Sequence, residues 1–341
     1  MPVEPELLDL LACPVHGESL RETDKGLACP RGHEYPVIDG VPVFLDERPQ
    51  TIGIAEHSLR AAKAGAHDDP YFLGTIGIAD HERAELSRQL KSAPESGVDP
   101  VISLLVGATN GIAYKHLIGT LQDYPIPDIR LPAGNGAILL DIGCNWGRWS
   151  IAAARKGYRT IGIDPSLGAV LAAKRLAAKM GLPCRFVVGD ARFLPLRPQS
   201  VDVVFSYSVI QHFSREDASS AIREVGRVLR QGGRSLIQMP TVFGLRCLYH
   251  QARRGFTDGN GFDVRYWTIP ALRDLFGKCV GPTSFSVDCF FGIGLQASDL
   301  HMMPLPLKVI IGASEALRKT SRWLPQLRYV ADSVYVESVK P

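Results

Sequence analysis

From Ala137 onward, short unbroken apolar runs alternate with longer stretches in which apolar residues recur at helical spacing. AILLDIG is such a run, followed by helical periodicity from Trp149 to Lys156. TIGID, RFVVGD, VDVVFSYS and SLIQMP repeat the run, and Leu167–Lys179 and Asp217–Leu229 repeat the helical pattern between them. Strands alternating with helices predict parallel βαβ units and a doubly wound α/β sheet. SFSVDCFF and SVYVESV predict two further strands near the C-terminus. Between them lies an insertion with a proline-flanked helix over Leu307–Thr320.

The preceding residues have a different character. Asp46 to Pro132 reads as helix with breaks: Ala79–Leu90 and Val101–Leu121 are predicted helices, and SAPESG interrupts them. YPIPDIRLPAGNG is an extended lead-in, because its prolines cannot continue a helix. In the first 45 residues, YPVIDGVPVFL alternates around an Asp39-Gly40 turn. The pattern divides the chain into a small module at 1–45, a helical linker or lid at 46–132, and an α/β domain at 133–341. Insertions suited to a substrate cap fall at about 241–282 and 291–326.

Composition narrows the classes. The 341 residues hold 38 basic and 35 acidic side chains, a net +3 that does not suggest a broad nucleic-acid surface. No apolar run approaches the roughly 18 residues of a membrane-spanning helix. The start, MPVEPELLDLLACP, is acidic and unlike a signal peptide. Seven scattered cysteines do not make a disulfide framework, and a reducing cytoplasm is the expected setting.

The most informative stretch is LLDIGCNWG, Leu139 to Gly147. A strand ends at Asp141 and a glycine-containing turn feeds a helix. Gly143 permits a tight turn and a close approach to a ligand, and Gly147 lets the helix start against the strand. The run is D-x-G-x-x-x-G, not the G-x-G-x-x-G of dinucleotide sites, and Asp141 would repel a phosphate. A carboxylate there suits a cationic group such as an amino acid's ammonium, which argues against NAD, ATP and FAD. Asp164 ends the next strand, where an acidic side chain accepts ribose hydroxyls. Asp190 ends the third, where it can accept from an adenine amino group.

LLDIGCNWG, TIGIDPS, VVGDARFLPL, DVVFSYSVIQHF and VLRQGGR resemble, in order and spacing, the motifs of class I S-adenosylmethionine-dependent methyltransferases of the methyltransferase-11-like kind. The resemblance covers about Gly136 to Pro240 and, with the terminal strand pair, extends to the C-terminus. It implies a Rossmann-like seven-stranded sheet whose last strand is antiparallel. It also implies that Asp141 and Gly143 line the methionine end of S-adenosylmethionine, with Cys144, Asn145 and Gly147 in the same turn. By the same resemblance Asp164 and Pro165 serve the ribose, Asp190 and Ala191 the adenine, and Ser206 lies beside the sulfonium. Asn145 stands where the family often has glycine, and asparagine accepts positive φ better than other residues with a Cβ.

Cys13-x2-His16 and Cys29-x3-His33 offer two thiolates and two imidazoles on paired turns, a set that suits tetrahedral Zn²⁺ in a structural site. So small a module needs a metal or a neighbour to stay folded. LLACPVHGESL and LACPRGHEYPVIDGVPVFL resemble the Trm112-like zinc ribbons found in front of some methyltransferases, with His16 replacing a cysteine. The second pair resembles the knuckle of bacterial 23S rRNA guanine methyltransferases. The alternative is a ribbon that has lost its zinc and folds by packing alone.

On the acceptor side, SYSVIQHF supplies Gln211 and His212, and His212 is the candidate general base; the alternative is a pocket wall. Tyr71 and Tyr114 could lid the cofactor or merely pack. Arg265, Tyr266 and Trp267 in FDVRYWT could grip an anionic or sugar-like acceptor, against ordinary packing for Trp267. LPLKVIIGASEAL, with Lys308, Arg318, Lys319, Arg322 and Arg328, suits a partner, a lipid-linked substrate or the protein's own core, with a solvated helix face as the plainer reading. The leading expectation is methyl transfer to a small-molecule or glycan-type acceptor, at oxygen. An rRNA or tRNA base methyltransferase and a non-catalytic cofactor-binding module are the alternatives, and a homo-oligomer is left open.

Overall fold

Every apolar run singled out in the sequence forms a strand in the computed structural model, which describes residues 2–50, 52–65, 69–92, 97–292 and 294–341. The chain divides into two units, residues 1–200 and 201–341.

The first unit opens with α1 (Pro5–Leu8) and a small antiparallel sheet of β1 (Arg21–Thr23), β2 (Gly26–Ala28) and β3 (Glu34–Tyr35). The hairpin β4 (Val37–Ile38) and β5 (Val41–Pro42) turns through Asp39 and Gly40 at φ 48° and 75°. Two successive left-handed residues are what a tight two-residue hairpin requires. Three helices follow: α2 (Gly53–Ala64), α3 (Asp80–Ser92) and α4 (Pro100–Thr109). Next come β6 (Ile138–Ile142), α5 (Arg148–Arg155), β7 (Arg159–Asp164), α6 (Leu167–Lys179) and β8 (Cys184–Val188), with β6, β7 and β8 paired in parallel. The predicted bounds of α6 are met at both ends, where Ser166 caps the first turn by accepting from Ala169 N.

The single helix expected over Val101–Leu121 is corrected. α4 stops at Thr109, and Gly111 at φ 109° leaves the helical region before a 3₁₀ turn over Ile112–Leu117. The SAPESG break falls mostly on residues 93–96, outside the described residues.

The N-terminal module finds its neighbour within this unit. Val43 bridges Val188 in parallel and Phe44 N donates to Val188 O at 2.7 Å, so the module covers the free edge of β8. Leu11 bridges Leu196, and Arg185 pairs with Glu4 and Glu6. Val43, Leu45, Leu59, Phe72, Val170 and Phe186 share one buried cluster, so the module, α2 and α6 have a common core.

The second unit contains β9 (Val201–Ser206), α7 (Arg215–Val228), β10 (Leu229–Pro240), α8 (Leu245–Arg253), α9 (Ile269–Cys279), β11 (Thr283–Cys289), α10 (Leu305–Thr320) and β12 (Ser333–Val339). β12 runs antiparallel to both β10 and β11, while β10 is parallel to β9. The strands run β8-β7-β6 in the first unit and β9-β10-β12-β11 in the second, and they make up a mixed, seven-stranded, Rossmann-like α/β sheet.

Candidate functional site: strand-end carboxylates and a cysteine–histidine cluster

In the first unit, β6 and β7 end in loops that are tied together through the backbone. Gly143 N and Cys144 N both donate to Ile163 O, at 2.8 and 3.1 Å. Gly143, Asn145 and Gly147 take φ of 74°, 47° and 81°, so the turn needs three left-handed residues within five positions. Asparagine fills the middle one and turns its side chain back, accepting from Trp146 N at 2.8 Å. At Gly147 a Cβ would lie 3.0 Å from the Ala173 Cβ and 3.3 Å from the Phe186 ring, so a side chain there would push α6 and β8 away from the start of α5 by a few tenths of an ångström.

Asp164 is anchored by that turn. Its two oxygens accept from Ser166 N (2.9 Å) and Asn145 N (3.0 Å). Burial pushes its carboxyl up to about 6, against the pull of these two donors. Asp141 is more enclosed: burial pushes it up to about 7, although Ser150 Oγ donates to it at 2.7 Å. Two buried carboxyls poised near neutrality are held ionised cheaply by a cationic group and by hydroxyl donors.

The third carboxylate is differently placed. Asp190 lies in a forked ion pair with Arg192, whose Nη2 stands 2.6 Å from Oδ2, and it also accepts from Arg192 N at 2.8 Å. Arg192 in turn donates to Pro49 O at 2.7 Å, and Arg48 lies 3.7 Å over the Phe193 ring. Residues 48–49 therefore wrap the loop that holds Asp190 and the buried Ala191. Sequence gave no signal for this clamp, because neither arginine belongs to a recognisable spacing. Pro165 is half-buried beside Asp164. The Cys144 side chain faces Gly162, and burial drives its thiol well above the ordinary range.

The helical segment reaches the same region through α6. Leu167 N donates to Ser58 Oγ (3.0 Å) and Gly168 N to Thr75 Oγ1 (2.7 Å), which satisfies amides at the helix start. Tyr114 is fully buried and accepts from Arg148 Nη2 at 2.8 Å, while Arg148 Nε donates to Pro125 O. Tyr71 lies under the Arg175 guanidinium.

The cysteine–histidine residues converge. Cys13, His16 and Cys29 present ligand atoms within 4.8 Å of one another. His33 stacks on His16 with ring centroids 4.7 Å apart and brings Nδ1 to 3.8 Å from Cys13 Sγ. The sulfur–nitrogen edges Cys13–His16 and His16–Cys29 measure 4.0 and 3.4 Å. A tetrahedron with Zn–S near 2.3 Å and Zn–N near 2.05 Å has such edges at about 3.6 Å, so the spacing of Cys13, His16 and Cys29 is compatible with that ion, while His33 approaches the cluster from the Cys13 side. Tyr35 Oη lies 3.2 Å from Cys13 Sγ. Burial pushes the Cys13 thiol up, but Tyr35, His33 and backbone donors outweigh it and bring the group to about 7.

In the second unit, Ser206 is buried at the end of β9. His212 closes a 3₁₀ turn and donates from Nδ1 to Phe262 O at 2.7 Å, with its ring stacked on Phe262 at 4.0 Å. That bond leaves Nε2 as the basic nitrogen, 3.3 Å from the Gln211 amide. Burial lowers the His212 pKa, so the ring is neutral at pH 7. Arg265 Nη1 donates to the carbonyls of His212, Gly261 and Asp263, which ties the loop to the histidine turn and engages that nitrogen internally. Tyr266 and Trp267 are buried, and Arg215 stacks 3.9 Å over the Trp267 ring.

Residues 139–233 match the family model described as "Methyltransferase domain". An uncharacterized methyltransferase, YcgJ, of Bacillus subtilis is 36% identical over 100 residues, which are 29% of this chain and 39% of that protein. The chain thus spans about two fifths of that relative's length. An uncharacterized methyltransferase of Bacillus cereus is 25% identical over 173 residues, covering 48% of this chain and 77% of its own. A solved S-adenosylmethionine-dependent methyltransferase from Methanosarcina mazei aligns at 20% identity and a TM-score of 0.45, over 64% of this chain and 99% of its own.

Proposed function

We propose that the protein transfers a methyl group from S-adenosylmethionine to a small-molecule or glycan-type acceptor, at oxygen. The observation that carries this reading is the turn of left-handed residues 143–147 joined to a buried Asp164 whose oxygens each hold one backbone amide. When bound, S-adenosylmethionine supplies an activated methyl on a sulfonium. Asp141 and the Gly143–Gly147 turn hold the methionine end, where the carboxylate meets the ammonium. Asp164, beside Pro165, accepts from the ribose hydroxyls, and the Asp190–Ala191 loop receives the adenine. Ser206 borders the sulfonium. His212 Nε2 would take the proton of the acceptor hydroxyl once that hydroxyl displaces the Gln211 amide from it, with the Nδ1 bond to Phe262 O fixing the ring. Arg265 acts as a positioning residue for that turn, and Tyr266 and Trp267 wall the acceptor.

Cys13, His16, Cys29 and His33 hold a structural Zn²⁺ in this reading, in a Trm112-like ribbon at 1–45. Four protein ligands leave no open position for catalysis. The helical segment 46–132 completes the cofactor side.

The test is transfer of labelled methyl from S-adenosylmethionine into extract separated into RNA, protein, lipid-linked glycan and small molecules. Label in the glycan or small-molecule fraction is expected, and its loss in His212→Ala with cofactor affinity retained would place the base. Label in RNA would replace this reading with the nucleic-acid one. No label despite cofactor binding would point to a non-catalytic module.

A further inference from the structure

We propose that the face of the second unit formed by α8 and α10 docks on the surface of an anionic lipid bilayer. This goes beyond the methyl-transfer reading and does not depend on it. α10 is sixteen residues long, yet only Ile311 and Ser314 on it are buried. Leu305 and Val309, one turn apart, are 74% and 66% exposed, and Trp323 just past the helix is 86% exposed. α8 repeats the pattern with Leu245, Leu248 and Tyr249 exposed behind an exposed Phe243. Single exposed apolar residues are ordinary, but a concentration of large ones marks a surface that meets something else.

The two helices border one segment, the end of β11 and the loop after it. Phe290 N donates to Ser314 Oγ of α10 at 3.0 Å, and a Cβ on Gly292 would lie 2.8 Å from Arg246 Cδ of α8. Asp332 caps α8 by accepting from Arg246 N (2.8 Å) and Cys247 N (3.1 Å), directly after the exposed Tyr329 and Val330.

Charge decides the occupant. Residues 243–257 and 305–330 together hold eight Lys and Arg and one acidic residue, Glu315. Arg318 neutralises that glutamate at 2.6 Å. These segments carry +7 on a chain whose total is +3, so the remainder carries −4. A second copy of the same face would set cations against cations, even with Asp332 at the start of α8 and Asp263 paired to Arg254. RNA would use the cations but leave Leu305, Val309 and Trp323 in water. Lys and Arg around Leu, Val, Phe and Trp is the composition of helices that lie at a bilayer interface, with cations on the lipid phosphates and apolar chains among the acyl tails. Among the described residues no helix is long and apolar enough to cross a membrane, so the contact is peripheral.

The experiment is co-sedimentation of the full chain with vesicles of phosphatidylcholine alone or mixed with phosphatidylglycerol. Binding to the mixed vesicles is expected to exceed binding to neutral ones by at least about 10-fold and to weaken with salt. The exposed triple variant Lys308→Glu/Lys319→Glu/Arg322→Glu should lose at least about 10-fold, and Val309→Asp/Trp323→Ser a similar amount, with melting temperatures unchanged. Absence of binding to mixed vesicles overturns the proposal, as does equal binding by the charge-reversed chain. A lipid-free dimer in sedimentation velocity that Val309→Asp dissociates also overturns it, because a second copy would then cover the face.

Discussion

The first unit draws polar groups to a point in two places, by different physical means. At the strand ends, Asp141 and Asp164 are delivered by β6 and β7, whose residues from Ile138 to Ile142 and from Thr160 to Asp164 are all buried. The sheet fixes those carboxylates whether or not anything binds them. The cysteine–histidine cluster has no such scaffold: β1, β2 and β3 are two or three residues long, and β1 is wholly exposed. Its convergence comes from two turns, the Cys13–Tyr35 contact and the shared edge with β8. One site is preorganised by a core. The other, under the proposed zinc reading, is organised by its metal, and the two should respond oppositely to losing a ligand group.

The largest effect is expected at the weaker scaffold. Cys29→Ser should abolish zinc binding, taking elemental analysis from close to one zinc per chain to near zero. Structural zinc carries a free energy on the order of 10 kcal/mol, so the 1–45 module should open to proteolysis while the sheet core stays protected. Metal-free protein that melts as the wild type does and resists protease would show that packing on β8 alone holds the ribbon.

At the preorganised site the same kind of deletion should cost binding and little of the fold. Asp164→Ala is expected to weaken S-adenosylhomocysteine affinity by one to two decades, about 1.4–2.7 kcal/mol, as ribose hydroxyls lose a buried acceptor. Asp164→Asn keeps the shape and one acceptor and separates binding from folding. Unchanged calorimetric affinity in both variants would remove the cofactor assignment and leave Asp164 as a loop anchor.

Legibility in the sequence follows the same division. The strands and α6 were readable because buried parallel strands impose continuous apolar runs, and capping chemistry such as Ser166 marks a helix start. The left-handed Asn145 was readable because few residues other than glycine take that conformation. The Arg192–Asp190 fork and the Arg48 stack on Phe193 were not, since such contacts depend on which loop passes which. Ser58 and Thr75 were invisible for the same reason: each satisfies a helix-start amide over ninety positions away. The break at Gly111 was a local signal outweighed by the apolar periodicity around it. For Arg265, residue type suggested an anion grip, while the fold surrounds its Nη1 with carbonyls.

The turn itself offers a sharper contrast. Gly147→Ala adds a methyl 3.0 Å from Ala173 at φ 81°, so strain and crowding combine to a loss of about 1–3 kcal/mol. Asn145→Gly, in the same turn at φ 47°, loses the side-chain bonds from Trp146 N and, at 3.5 Å, Thr109 Oγ1 but relieves backbone strain, and should change stability by under about 1 kcal/mol. Denaturant midpoints of the two variants test this directly. Equal losses would mean that the turn tolerates side chains and that its glycines are not set by packing.

The smallest effect separates the two sites by pH. Burial raises Asp141 to about 7 and Asp164 to about 6, both above the value near 3.9 of an unfolded aspartate. Their contribution to the stability of the ligand-free fold is therefore complete below pH about 4 and is lost as pH rises through 6 to 7, where each is forced to ionise in a buried place. A ligand that brings an ammonium and hydroxyl donors prefers the ionised pair, so S-adenosylhomocysteine should bind several-fold more tightly at pH 8 than at pH 5.5 and release protons on binding below pH 7. Asp141→Asn should flatten most of that dependence. Zinc retention follows ligand affinity along this axis and opposes the carboxyls' own contribution to the ligand-free fold: acid protonates the thiolates and imidazoles, so the metal should leave as pH falls while the strand-end carboxyls become more comfortable in the fold. Calorimetry across this range, paired with zinc retention followed by a chromophoric chelator, would show both bindings strengthening with pH, while the melting temperature of the ligand-free strand-end fold falls. An affinity flat with pH would mean that the ligand does not meet the buried carboxylates at all.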